Sequence, residues 1–197
     1  MLEPGFHDVP PGHLAAVVTH LEMRAPPPRR DGPDPGLALE HVAAPGTGWY
    51  RRLFRRVGTD WLWFGRLVMD DAELAEVIGD PKVEVHVLRD GETEAGLLEL
   101  DFRTDGDCEL AYFGLAPGYT GRGAGRWMMT RALASAWRPG IGRVHVHTCT
   151  LDHPAALDFY IRSGFVPVRR EIEIARDPRA TGLLPETAAP QVPLLRP

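Results

Sequence analysis

Hydrophobic and polar positions along this chain follow two periods, one near two and one near three and a half. The stretch from Leu14 to about Met23 is strand-like. Between Gly48 and Phe64, Tyr50, Leu53, Phe54 and Val57 recur at helical spacing. Arg51, Arg52, Arg55 and Arg56 then fall on the opposite, solvated face. A second helix is expected from about Asp71 to Ile78. Asp70 is its N-cap, Glu73 sits at the capping-box position, and Gly79 with Pro81 stops it. Lys82–Leu88 and Ala95–Phe102 are β-rich and joined across Asp90-Gly91, so they form a hairpin; Cys108–Leu115 adds a third antiparallel strand.

After Leu115 the pattern changes. Pro117, Gly118, Gly121, Gly123 and Gly125 make a loop, Arg126–Trp137 reads as a helix, and Arg143–Thr150 as a strand. Pro154 fits the first turn of a helix running to about Ser163, with Gly164 as its stop, and Phe165–Ile174 is the last strand. The Pro/Gly/Asp-rich stretch Ala25–Gly36 must be loop. The segment 177–197, rich in Pro and Ala, is expected either to lack order or to drape over the body.

Composition narrows the chemistry. The chain has 197 residues, 44% hydrophobic and 25% charged, enough for one domain over 1–197 with a core over about 14–176. A net charge of −5 argues against a nucleic-acid-binding face. Lys82, the only lysine, is followed by Val83, which excludes a Gly-Lys-Ser/Thr phosphate loop; neither Ser135 nor Ser163 lies in Gly-x-Ser-x-Gly. Cys108 and Cys149 make no disulfide framework. With no signal-peptide pattern and no long apolar run, a cytoplasmic protein without membrane contact is expected.

The informative segment is Leu115-Ala-Pro-Gly-Tyr-Thr-Gly-Arg-Gly-Ala-Gly-Arg126. Glycines 121, 123 and 125 open the backbone N–H groups to a ligand, and the following helix points its positive end at the same place, an arrangement suited to a pyrophosphate. The dinucleotide fingerprint Gly-x-Gly-x-x-Gly fails in both frames, at Arg126 and at Met128. Gly114 marks a bulge or a close backbone approach; a bulge there would part its strand from Arg143–Thr150 and open a notch.

Together with Ala156-Leu-Asp-Phe-Tyr160-Ile-Arg-Ser-Gly164-Phe165, this order resembles the acetyl-CoA-dependent GNAT superfamily of N-acetyltransferases over about Glu109–Phe165. Thr120 stands where the family loop usually has Gln or Arg, and His153 where an Asn is common; the loop N–H groups are unaffected by either. The resemblance implies an α/β fold: a mixed, mostly antiparallel sheet with a bulged central strand and helices on both faces. It implies acetyl-CoA as acyl donor, bound by Phe113, Leu115, Thr120, Gly121, Arg122, Gly123, Ala124, Gly125, Arg126 and His153. Tyr160 matches the family's general-acid tyrosine and Glu109 its base glutamate, with His145 or His147 as alternative bases.

By alternation, Glu109, Ala111 and Phe113 should share a face. His145, His147 and Cys149 also share one, a spacing zinc can use, but no fourth ligand is fixed and no metal is expected. Trp49, Tyr50, Trp61 and Trp63 are candidates for the acceptor side or the core. The expected activity is transfer of acetyl to a primary amine by direct attack, on a small molecule, peptide or protein, with Cys149 as a minor acyl-carrier variant. A non-catalytic acyl-CoA-binding module is the alternative, and a homodimer is left open.

Overall fold

The structure, a computed structural model, describes residues 3–28 and 34–196. Residues 29–33, in the middle of the expected Ala25–Gly36 loop, lie outside the described residues. Seven strands form one open sheet. In chain order they are β1 (His13–Met23), β2 (Ala38–His41), β3 (Val83–Asp90), β4 (Thr93–Asp101), β5 (Asp107–Leu115), β6 (Arg143–Cys149) and β7 (Val166–Arg176). Their order across the sheet is β2-β3-β4-β5-β6-β1-β7, antiparallel except for the β5–β6 pair. Four helices, α1 (Thr47–Gly58), α2 (Asp71–Ile78), α3 (Ala124–Ala136) and α4 (Ala156–Ser163), cover its two faces.

The alternation along the strands sorts the core into layers. Val83, Val85 and Val87 turn to one face and meet Tyr50, Leu53, Phe54 and Val57 of α1 and Leu74 and Ile78 of α2. On the other face Leu98, Leu100, Leu110, Val144 and Val146 pack against Met129 and Leu133 of α3 and Tyr160 of α4. The first helix is shorter than its apolar spacing predicted. Thr59–Trp61 tighten into a single 3-10 turn, and Leu62 then takes a left-handed φ of 54° that ends the run. The Asp70 capping box forms: its carboxylate accepts from the N–H of Ala72 (2.8 Å) and Glu73 (2.9 Å), and the Glu73 carboxylate accepts from Asp70 N–H at 2.9 Å.

One strand was not predicted, and one of two stated alternatives is decided. The four-residue strand β2 pairs with β3 at one sheet edge. The segment after β7 is built into the body: Leu184, Ala188 and Ala189 join the α1–α2 core. Arg179 ties this segment together. Its side chain, 1% exposed, donates to Asp177 at 2.7 and 3.0 Å and to the carbonyls of Ala188, Ala189 and Val192.

Candidate active site

The site begins with a mismatch in the sheet. β5 and β6 pair only from Asp107↔Arg143 to Glu109↔His145. From Leu110 onward, β5 has no strand partner on that side. On its other side the pairing with β4 shifts register, from Leu100↔Leu110 to Glu99↔Tyr112. Ala111 is therefore an extra, bulged residue.

This corrects two expectations. The bulge is at Ala111, three residues before Gly114. As a result Glu109 shares its face with Tyr112, which packs into the α1 side, while Phe113 crosses to the other side against Phe159 (5.6 Å between ring centroids) and Tyr160 (6.4 Å). Gly114 serves close approach instead. A Cβ there would sit 2.5 Å from Val57 Cγ1 and 2.8 Å from the Trp63 ring.

The notch opens into a cleft of about 1560 Å³ that runs from one face of the sheet to the other. Its mouth on the α3–α4 side is the glycine loop. Gly121 (φ 79°) and Gly123 (φ 85°) both take left-handed backbone that a Cβ would strain, and Gly123 is the residue from which α3 starts. The first intrahelical bond runs from Trp127 N–H to Gly123 C=O at 3.0 Å, so the N–H groups of Ala124, Gly125 and Arg126 have no carbonyl within the helix. No acidic residue stands in the first turn of α3 and no side chain caps it. The loop residues fit a pyrophosphate through backbone donors, helix dipole and open space where a Cβ would otherwise project.

Of the residues expected to hold the acyl donor, Phe113, Leu115, Thr120, Gly121, Gly123, Gly125, Arg126 and His153 line this cleft. Arg122 is exposed outside its wall, and the Ala124 side chain is buried in the core, leaving only backbone to offer. The walls of α3 and α4 were missed by sequence reasoning. Trp127, Thr130, Arg131 and Ala134 line the cleft, as does Arg162. The i, i+4 spacing of Arg126, Thr130 and Ala134 carried that signal. His153 also organises the start of α4, since its Nδ1 accepts from Ala155 N–H at 3.1 Å.

Three groups stand where the cleft crosses the sheet. Tyr160 is buried among Phe113, Phe159 and Phe165, and its ring borders the cleft. Burial, aided by the charge of Asp152, pushes its hydroxyl pKa well up, so it stays protonated. On the far side His147, 51% exposed, faces the cleft and its Nδ1 lies 3.6 Å from Glu109 Oε1. Glu109 itself lies outside the cleft wall, behind that imidazole. The contact with Glu109 raises the His147 pKa against the opposing effect of burial, and the same contact holds Glu109 below the usual carboxylate range.

His145 sits deeper along β6, next to the paired end of the notch, and burial lowers its pKa. Burial and the adjacent Asp152 push the Cys149 thiol up to about 11, which disfavours it as a nucleophile. Asp152 is fully engaged, accepting from Trp63 Nε1 (3.0 Å), Thr148 Oγ1 (2.7 Å) and Cys149 N–H (2.9 Å). Trp61 and Trp63 line the cleft. Tyr50 is core, donating to Glu99, and Trp49 packs against the core and donates to Glu94 at 2.6 Å. Among the described residues, no group of three or more His, Cys, Asp or Glu is placed to hold a metal ion. No helix among them is long and apolar enough to cross a membrane.

The model of the acetyltransferase (GNAT) family matches residues 49–165, from α1 to the end of α4 and through the whole notch. The chain belongs to the GNAT acetyltransferase family. Solved structures share its GNAT fold. A GCN5-related N-acetyltransferase from Sphaerobacter thermophilus superposes with a TM-score of 0.59 at 17% identity, covering 91% of this chain and 55% of that one. A conserved protein of unknown function from Staphylococcus epidermidis gives 0.55 at 16% identity, over 84% of this chain and 63% of that one. The chain thus spans less than two thirds of the length of either protein. An aminoglycoside acetyltransferase from an uncultured soil metagenomic sample gives 0.54 at 18% identity, over 66% of this chain and 89% of that one. At these identities the likeness is one of fold. No curated protein matches the sequence.

Proposed function

We propose that this GNAT protein transfers the acetyl group of acetyl-CoA to a primary amine by direct attack in a ternary complex. The observation that supports this most is the cleft that crosses the sheet. A glycine loop with unpaired helix N–H groups stands at one mouth, an imidazole backed by a carboxylate at the other, and a protonated tyrosine borders the passage.

An alkylammonium has a pKa of about 10 and must lose a proton before it can attack. His147 is the base that takes it, with Glu109 positioning the ring and stabilising the imidazolium that results. The amine nitrogen then bonds to the thioester carbon and the C–S bond breaks. The leaving thiolate takes the Tyr160 proton, and the acylated nitrogen then gives up its second proton, which restores the tyrosine. The unpaired backbone edge of β5 beyond Glu109 is available to an extended ligand arm, and Thr120, Gly121, Gly123 and Gly125 with Arg126, which line the cleft, would hold the pyrophosphate. The thiol pKa of about 11 weighs against an acyl-Cys149 route.

Calorimetric titration with acetyl-CoA, and separately with NAD, tests the donor. Micromolar binding of acetyl-CoA alone supports the reading, and absence of acetyl-CoA binding overturns it. Thiol release with a panel of amines then separates an enzyme from a non-catalytic acyl-CoA-binding module.

A further inference from the structure

The cleft changes sign as it crosses the sheet. Its charged walls on the α3–α4 side are three arginines, Arg126, Arg131 and Arg162, against one acid in the neighbouring loop, Asp34; on the other side they are Asp152 and Glu173. The acidic groups around this second mouth differ in one respect. Asp152 already accepts from three donors of the fold. Glu109 faces His147, and Glu171 is held by His20 at 2.5 Å and by Arg169 at 2.9 Å. Glu173 has no hydrogen-bond or ion-pair partner among the described residues.

The register explains where Glu173 points. It lies opposite Ala16 of β1, one alternation along from Val18, which pairs with Cys149. Its carboxylate therefore shares the sheet face of Cys149 and His147, over the smallest side chain on that row. Its charge is felt there, helping to raise the pKa of His147, Cys149 and Tyr112. Across the cleft stand the indoles of Trp61 and Trp63. A carboxylate with no hydrogen-bonded or ion-paired cation among the described residues, beside aromatic walls, is a place for a positive charge that the ligand brings.

We infer that the acceptor carries a second cationic group besides the amine that reacts, and that Glu173 holds it; the acceptor is a diamine or polyamine. This rests on the reading of the second mouth as the acceptor entrance. The arginines of the opposite mouth repel such a molecule, so it enters from the Glu173 side with its reacting nitrogen toward His147.

The test is calorimetric binding of α,ω-diamines of increasing length, each against the monoamine of the same chain length, to the protein alone and to the protein loaded with CoA. The expected result is a diamine preference of about ten-fold or more at the best length. Glu173→Gln should collapse that ratio to near one, while Glu173→Asp should keep part of it. Glu173 is exposed, so the variants should fold, and their thermal midpoints check this. Equal binding of the matched amines, a preference that survives Glu173→Gln, or no amine binding at all would each overturn the inference. Because amine binding to the protein alone is read without acetyl transfer, a failure of acetyl-CoA to bind would sink the proposed reaction and still leave this result decided.

Discussion

In the proposed reaction Tyr160 is the acid; a tyrosine carries its proton at neutral pH even when exposed, burial raises its pKa further, and removing the hydroxyl leaves the aromatic packing in place. Tyr160→Phe should lower kcat by about 10²-fold, with the dissociation constant for acetyl-CoA unchanged in calorimetry. A different signature is expected of His147. Its pKa is raised by Glu109, so the neutral base appears only above the ordinary histidine range, and kcat/KM should climb with pH through that raised value. Glu109→Gln removes the cause and should shift the inflection to lower pH. An inflection that stays in place in this variant would belong to the amine substrate and not to the protein. Sequence reading singled out Tyr160 from its motif and Glu109 from its place on the strand, the latter as the base itself, whereas the structure puts Glu109 outside the cleft wall. That His147, of three candidates, is the one standing between Glu109 and the cleft was not legible. The contact spans two strands, and only the three-residue parallel register between them places those side chains together.

The elements were read with more success than their joints. Hairpin, capping box and glycine loop each carry their signal within a few neighbouring residues. The bulge does not: Ala111 is compatible with any strand, and the glycine three positions on was the more conspicuous marker. One register shift then exchanged the faces of Tyr112 and Phe113. The strand Ala38–His41 is too short for alternation to show. At the loop, Gly123→Ala places a Cβ on left-handed backbone with open space around it, so the cost is strain of about 1–2 kcal/mol and not collision. Acetyl-CoA binding should weaken by about ten-fold in calorimetry as the loop leaves its N–H-presenting geometry. Losing the Asp70 cap is a purely structural control. Asp70→Ala should cost about 1 kcal/mol in denaturant unfolding with acetyl-CoA binding intact.

At the scale of the molecule, the C-terminal segment is part of the fold. Arg179→Ala leaves the Asp177 carboxylate buried without its partner and frees three carbonyls, so a loss of about 3–5 kcal/mol is expected from denaturant unfolding. Burial alone would raise the Asp177 pKa, but the Arg179 guanidinium holds it below the usual range. A depressed carboxylate pKa stabilises the folded state above the unfolded value of about 3.9, and that contribution is lost as pH falls through the folded one. The thermal midpoint should therefore drop in that acidic window, and drop less steeply in Arg179→Ala. Proline and alanine content disguised this segment as a tail, since nothing local marks Leu184 and Ala188 as core. The position of β1 carries a further consequence. It lies between β6 and β7, and every residue it pairs with comes more than 120 positions later. On a ribosome adding roughly 5–20 residues per second, β1 must wait on the order of ten seconds for its neighbours, with both of its edges unsatisfied. The half-sheet bearing His147, His20 and Glu173 is then the last part of the newborn chain to assemble. Chaperone dependence during translation should track β1, and substitutions that lower its stickiness while nascent should raise the yield of folded protein.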